Sequence, residues 1–285
     1  MSVALNRQEI EAAFLAACHA ELDALKPGNV HRHAPGHGMD VTQFEKAAAA
    51  AVPFIADPEL KVGTRILRAT EASFAATGVN TNLGIVLLTA PLAKAAAEID
   101  AATGLRRRLA VILSLLDVAD AEQAFAAIRI ANPAGLGSAP HGDVHDAPSV
   151  TLIQAMHLAA GRDRIANAYV TAYGDIFDFA LPVFQDARAI CGTFNLAVTT
   201  FHMALLTEFP DSHIARKFGL DTARLVQAEA RALSPSWQPF ASHKSLPSLE
   251  EFDAALKRRG LNPGTTADFV VATLFAARLS ERKQS

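Results

Sequence analysis

The chain has 285 residues, of which 51% are hydrophobic and 19% are charged, and its net charge is -3. This composition supplies a sizeable apolar core and excludes a disordered chain. The slight negative charge argues against a nucleic-acid partner, and no apolar run approaches the ~18 residues of a membrane span. Cys18 and Cys191 lie in apolar stretches, which indicates reduced thiols and a cytoplasmic location.

Apolar residues recur at helical spacing along the chain, and no segment shows the sustained alternation of a strand. The pattern predicts helices at about 6–24, 41–55, 59–77, 82–99, 105–116, 119–131, 149–160 and 163–178, then from Pro182, Thr193 and Asp211, and at 221–233, 250–259 and from Asn262. We therefore expect an all-α fold in which residues 1–285 form one compact domain of about a dozen helices.

Three long loops interrupt the helices, at 26–40, 132–148 and 234–247. Loops of about 12 to 15 residues are uncommon inside compact helical domains and are more often functional than not. The polar clusters in and beside these loops are therefore candidate site residues.

The stretch 78–91 joins a polar turn to a buried helix. Gly78 favours a left-handed helix end, and Asn80 or Thr81 can cap the helix that follows Asn82. Unpaired N–H groups and the positive end of the helix dipole suit a phosphate or carboxylate there. The turn is predicted to bind substrate.

The first loop begins with Lys26, Gly28 and Asn29 and continues through three histidines to Asp40. Glycine allows a close backbone approach, and lysine binds phosphate as a point charge. The alternative is a helix stop with a solvated lysine and surface histidines.

Glu71 follows Arg65 and Arg68 on one helical face. The row is either a surface ion-pair series, worth a few tenths of a kcal/mol, or part of a site. The site interpretation depends on the adjacent turn at 80–82.

The second loop contains His141, Asp143, His145 and Asp146. The two aspartates suit a Mg²⁺–triphosphate complex, whereas the two histidines would suit zinc or iron. The structural alternative is an exposed polar loop that starts the next helix.

Residues 262–268 place Thr265 and Thr266 at the start of the last helix and Asp268 on its second turn. A carboxylate on such an apolar helix is either exposed or held at a site, because an unpaired buried charge is costly. Lys217, beside Arg216, is either an anion clamp or a solvated surface lysine.

Four motifs in order resemble the triphosphoribosyl-dephospho-CoA synthases, from about residue 12 to 280. They are K-P-G-N-V at 26–30, Met39-Asp40, G-V-N-T-N-L-G at 78–84 and N-P-G-T-T-A-D at 262–268. The resemblance implies an all-α fold, ATP with Mg²⁺, and displacement of adenine from C1′ of ATP by a ribose hydroxyl of dephospho-CoA.

Glycosyl transfer of this kind needs a carboxylate near C1′, a base for the hydroxyl and groups that hold the triphosphate. On that basis the base is predicted to be Glu71 or Asp40, and the metal ligands are predicted to be Asp143, Asp146 and Asp268. Substrate contacts are predicted for Lys26, Gly28, Asn29, Asn80, Thr81, Asn82, Lys217, Thr265 and Thr266.

Three alternatives stay open. Citrate-lyase-type members of the family carry His-Lys where this chain has Asn82-Leu83, so the acceptor can be another small molecule. A metal-dependent phosphohydrolase would use His145-Asp146 with His31, His33 and Asp268 and release phosphate. A non-enzymatic nucleotide- or CoA-binding protein would bind without turnover. A homodimer is a candidate assembly for each.

Overall fold

The computed structural model describes residues 4–98, 104–133, 137 and 143–281. The α-helices of the first half are α1 Arg7–Asp23, α2 Val41–Ile55, α3 Val62–Thr77, α4 Leu83–Ala97, α5 Leu105–Ser114, α6 Val118–Ala131, α7 Leu152–Ala159 and α8 Arg164–Val170. Those of the second half are α9 Leu181–Ile190, α10 Phe194–Glu208, α11 Ser212–Phe218, α12 Leu220–Ala232, α13 Ser234–Trp237, α14 Leu246–Arg258 and α15 Gly264–Ser280. These ranges contain no β-strand, which confirms the all-α prediction.

Side-chain caps explain several helix boundaries. The Asn6 side chain accepts from Glu9 N at 3.0 Å and starts α1. Thr193 and Asp211 cap α10 and α11 in the same way, as their positions predicted. The Asn80 side chain accepts from Leu83 N at 3.3 Å, so the polar turn before α4 organises the start of that helix.

The prediction of one continuous helix at 163–178 is wrong. This part of the chain divides into α8 and a π-helical segment, Asp175–Ala180. Ala172 and Tyr173 separate the two with φ of 47° and 60°, values that end a right-handed helix. π-helical turns are rare and occur frequently at functional sites, so this segment is relevant to the site below.

Helix α4 contains Pro91, which has no N–H to donate to the carbonyl of Leu87. The buried Tyr169 hydroxyl donates to that carbonyl instead, at 2.7 Å. The Tyr173 hydroxyl donates to Leu88 O at 2.9 Å. Side chains on and just after α8 therefore complete the hydrogen bonding of α4 and fix the two segments together.

Two hydrophobic clusters form the core. The larger surrounds α4 and α15, and its Phe14 and Phe275 rings meet edge to face at 5.9 Å. The smaller includes Met203, Val226 and Leu256 from α10, α12 and α14. Within the described ranges, no helix combines the length and apolar character needed to cross a membrane.

Candidate active site

A cleft of about 1030 Å³ lies where the N-terminal ends of α4, α8, α11 and α15 meet. Helices α2, α6 and α7 and the segment before α2 contribute apolar side chains, among them Met39, Phe44, Phe125, Ile128, Leu152 and Met156. The opposite side is polar and includes Asn80, Thr81, Arg162, Asp163, Arg164, Arg216, Lys217, Thr265 and Asp268. One side of the cleft thus suits a charged group and the other an apolar one.

Asp268 is the half-buried carboxylate at the centre of the polar side. A Cβ added to Gly84 of α4 would lie 2.9 Å from Asp268 Oδ1 and closer still to Cγ and Oδ2. The glycine therefore lets this carboxylate lie against the first turn of α4. Burial raises the pKa of Asp268 well above its usual range, and the negative charges of Asp211 and Glu21 raise it further.

The Asp268 carboxylate makes no hydrogen bond to another described residue, and the positive charge of Arg216 opposes the rise in its pKa. Nearby, the buried Thr81 hydroxyl also lacks a hydrogen-bond partner. Unsatisfied buried polar groups are rare, and each calls for an explanation such as a bound ion or ligand. The joint of α4 and α15 is therefore the strongest candidate for a ligand contact in the described residues.

Two residues at the start of α11, Asp211 and Ser212, tie it to α15. Asp211 accepts from Ile214 N at 3.0 Å and from Thr266 N at 2.7 Å. The Ser212 hydroxyl donates to Thr265 Oγ1 at 3.0 Å. Thr266 also donates its hydroxyl to Asp211, so it is used structurally, whereas Thr265 lines the cleft.

Arg164 crosses the polar side between two aromatic rings. Its guanidinium carbon lies 3.9 Å from the Phe209 ring centre and 4.4 Å from that of Phe269. Nη2 donates to Asp175 Oδ2 at 3.0 Å, while the buried Nε and Nη1 atoms have no partner. Since Asp175 begins the π-helical segment, that irregular turn places the carboxylate that orients Arg164.

Lys217 lies at the rim of the cleft, exposed, with Nζ 5.1 Å from the Phe218 ring centre. Its neighbour Arg216 donates to Asp163 Oδ2 at 3.3 Å. Asp163 in turn caps α8 by accepting from Ile165 N. The position of Lys217 leaves it accessible to an anion, as its predicted role requires.

Lys26 is fully buried behind the cleft, so the predicted direct contact with phosphate is not supported by its position. Its ammonium donates to Glu21 Oε1, to Asn29 Oδ1 at 2.9 Å and to Val30 O at 2.6 Å. All three donors of the group are used. Burial lowers the pKa of Lys26 and raises that of Glu21, while the attraction between them opposes both shifts.

Gly28 also lies behind the cleft and has φ of 84°. A Cβ there would lie 2.8 Å from both Leu256 Cδ1 and Pro263 Cδ, and its N–H donates to Asp253 at 2.8 Å. Its role in this position is packing. Asn29 does line the cleft, and its Nδ2 donates to Asn262 Oδ1 at 2.8 Å.

Neither Asp40 nor Glu71 lies among the residues that line the cleft. Asp40 is exposed and caps α2 by accepting from Gln43 N at 3.3 Å. Glu71 forms a surface pair with Arg68 at 3.4 Å. Arg65 is buried and bonds the carbonyls of Ile55 and Leu60, so the predicted row of charges does not form one face.

Asn82 is buried and donates to Ser73 Oγ at 3.0 Å rather than lining the cleft. Asp143 bonds the N–H of His145 at 2.9 Å, and Asp146 is exposed. Val144, between them, reaches the cleft.

Among the described residues, no three His, Cys, Asp or Glu side chains form a metal-binding group, so the predicted set Asp143, Asp146 and Asp268 is not brought together. His141, the remaining member of the second-loop cluster, lies outside the described residues.

Sequence reasoning missed several cleft residues. Glu21 lies on the face of α1 whose other buried residues are apolar. A carboxylate in that position could have indicated a site. Arg164 gave no signal of a site because it lies at the start of the helix predicted at 163–178, and Asp175 is relevant only through the π-helical turn. Gly84 was part of a motif, but its contact with Asp268 depends on how α4 and α15 cross.

Comparison with known proteins matches residues 7–285 to the family described as ATP:dephospho-CoA triphosphoribosyl transferase. The chain belongs to this family. The match covers both sides of the cleft and confirms the resemblance carried by the four motifs.

Two relatives illustrate the range of similarity. A protein from Albidiferax ferrireducens, provisionally named 2-(5''-triphosphoribosyl)-3'-dephosphocoenzyme-A synthase, is 35% identical over 79 residues. The match spans 28% of this chain and 26% of the relative, about a quarter of its length. A crystal structure from Archaeoglobus fulgidus, provisionally named triphosphoribosyl-dephospho-CoA synthase, aligns with TM-score 0.62 and 23% identity over 81% of this chain and 96% of that chain. The second comparison supports the fold.

Proposed function

We propose that this protein transfers the triphosphoribosyl group of ATP to a ribose hydroxyl of dephospho-CoA and releases adenine. The observation that carries the proposal is the unpartnered Asp268 carboxylate at the joint of α4 and α15. Family membership supports the reaction class. A related small acceptor is the alternative for the second substrate.

The size of the cleft supports binding of a nucleotide-sized substrate. Pockets for one small ligand typically measure ~300–1,000 Å³, and this cleft reaches the upper end of that range. Arg164 and Lys217 both line the cleft and supply positive charge for a triphosphate. The apolar side of α6 and α7 suits an adenine ring or a pantetheine chain.

The donor set at Asp268 fits Mg²⁺, which commonly takes one or two carboxylates and completes its shell with phosphate oxygens and water. Asp268 would hold the ion, which when bound neutralises phosphate charge. Arg164 and Lys217 would hold the triphosphate beside the ion. Reduced thiols and the use of ATP are consistent with a cytoplasmic reaction.

The test is adenine release from ATP with Mg²⁺, with and without dephospho-CoA, followed by chromatography and mass spectrometry. We expect adenine only when dephospho-CoA is present, and a loss of about 100-fold or more in Asp268→Asn. Asp186→Asn, which changes an exposed carboxylate on α9, is the matched control and should keep full activity.

Other products would change the conclusion. Phosphate or ADP without adenine would favour a hydrolase, and adenine release independent of dephospho-CoA would indicate a different acceptor. The same assay on Asp40→Asn and Glu71→Gln decides whether either surface carboxylate contributes.

A further inference from the structure

Glu21 is a second carboxylate on the cleft, and it is only 4% exposed. Oε1 accepts from the Lys26 ammonium, while Oε2 accepts no hydrogen bond from any described residue. One oxygen is thus neutralised and held, and the other is left without a partner beside the cleft. The negative charges of Glu21 and Asp268 repel each other, and the charge of Glu21 raises the pKa of Asp268.

Lys26 cannot leave this pair without breaking other bonds. It is buried, and its remaining donors bind Asn29 Oδ1 and Val30 O. Removing two charges from water costs several kcal/mol per ion, so burial of this pair adds little to stability by itself. Its arrangement therefore calls for a role other than stability.

The bonding continues from Lys26 to a second cleft residue. Asn29 accepts from Lys26 and donates Nδ2 to Asn262 Oδ1 at 2.8 Å. This fixes the Asn262 amide so that its carbonyl oxygen is used, while its Nδ2 has no partner among the described residues. The same lysine thus orients a carboxylate that can accept a proton and an amide that can donate to a hydroxyl.

We propose that Glu21 is the base that accepts the proton of the acceptor hydroxyl, and that Lys26 is the residue that positions it. The inference rests on the proposed transferase function. The acceptor oxygen forms a bond to C1′ while the C1′–N9 bond of ATP breaks and its electron pair leaves with adenine. The hydroxyl proton passes to Glu21 Oε2. Glu21 then releases this proton and the departing adenine takes up one, so the step balances without another reactant.

The ionisable groups around Glu21 influence its pKa. Lys26 faces it from the first loop, Asp268 from α15, and Cys18 lies on the same helix. Behind Lys26, His202 of α10 stays neutral because burial lowers its pKa to about 3. The positive charge of Lys26 therefore opposes the rise in the pKa of Glu21 that burial causes.

The experiment measures ATP binding by calorimetry and adenine release in the full chain. Glu21→Gln should bind ATP as the wild type does but release adenine about 10² to 10⁴ times more slowly, the range for loss of a general base. Glu11→Gln, on the same helix in a surface pair with Arg7, is the matched control and should match the wild type.

A pH profile separates positioning from simple structural support. Lys26→Met removes the charge that lowers the pKa of Glu21, so the acidic limb of kcat/KM should move to higher pH. A structural role alone would reduce activity without moving the limb. If Lys26→Met fails to fold, the neutral double variant Glu21→Gln with Lys26→Met, which removes both charges, should bind ATP without releasing adenine.

The two proposals fail in different ways. Wild-type protein that releases no adenine would overturn the transferase function. Adenine release by Glu21→Gln within about threefold of the wild type, or an unmoved acidic limb in folded Lys26→Met, would overturn the role of Glu21 while leaving the transferase intact.

Discussion

The contact between Gly84 and Asp268 gives a prediction about a single methyl group. In Gly84→Ala the new Cβ would lie 2.9 Å from Asp268 Oδ1 and closer to the other carboxylate atoms. Carbon contacts are normally ~3.5–4.0 Å, so the carboxylate must move by about 1 Å or more. A displacement of ~1 Å at a reacting centre can cost about 100-fold in rate, and we expect a loss of that size.

Stability should respond differently from activity. Alanine is favoured over glycine inside a helix by up to about 1 kcal/mol. Asp268 can rotate away because its side chain makes no hydrogen bond to another described residue. The melting temperature should therefore stay within about 3 °C of the wild type.

The assay is adenine release together with calorimetry of ATP–Mg²⁺ binding. Gly192→Ala, whose added Cβ meets no atom within 4 Å, is the matched control and should be fully active. In an Asp268→Ala background, Gly84→Ala should cause no further loss of adenine release, because the two residues act as a pair. Full activity of Gly84→Ala would refute the importance of this contact.

Three further predictions concern the same region and the thiols. Because the folded-state pKa of Asp268 is raised, the ionised carboxylate destabilises the fold above its usual pKa. Asp268→Asn should melt higher than the wild type at pH 7, with the difference shrinking towards pH ~4, measured by scanning calorimetry. Arg164→Lys loses its stacking between two rings, so it should bind inorganic tripolyphosphate about tenfold more weakly in calorimetry, whereas equal affinity would exclude a phosphate role. Burial raises the pKa of Cys18, so a thiol reagent should label Cys191 in the native protein and both cysteines only after denaturation.

Much of the helical fold was predictable because its signals are local. Asn6, Thr193 and Asp211 cap the helices they precede, and Gly78 ends α3 with φ of 70°. The break after α8 was missed because a left-handed turn at Tyr173 has no clear local signature. The single domain and the homodimer stay predictions, and light scattering tests the second.

The site was predictable where polar residues at the start of a helix also face the cleft. Asn80, Thr81 and Thr265 lie at such helix starts and line the cleft. Lys26 was misplaced because sequence gives charge but not burial, and its partner Glu21 sits five positions earlier on a helix face that looked apolar. Such a pairing depends on how the first loop folds back against α1.

In α4, the hydroxyl of Tyr169 from α8 replaces one hydrogen bond of the helix backbone. This replacement has a consequence for folding. Pro91 leaves the Leu87 carbonyl unpaired until Tyr169, 82 positions later, donates to it. Formation of the middle of α4 is therefore coupled to a contact distant in sequence, and such non-local contacts slow folding because loop closure must come first. In Tyr169→Phe, the N-terminal half of the chain should collapse normally, while native hydrogen exchange protection in α4 should be lost first. The joint that carries Asp268 would then be among the last parts of the molecule to become ordered.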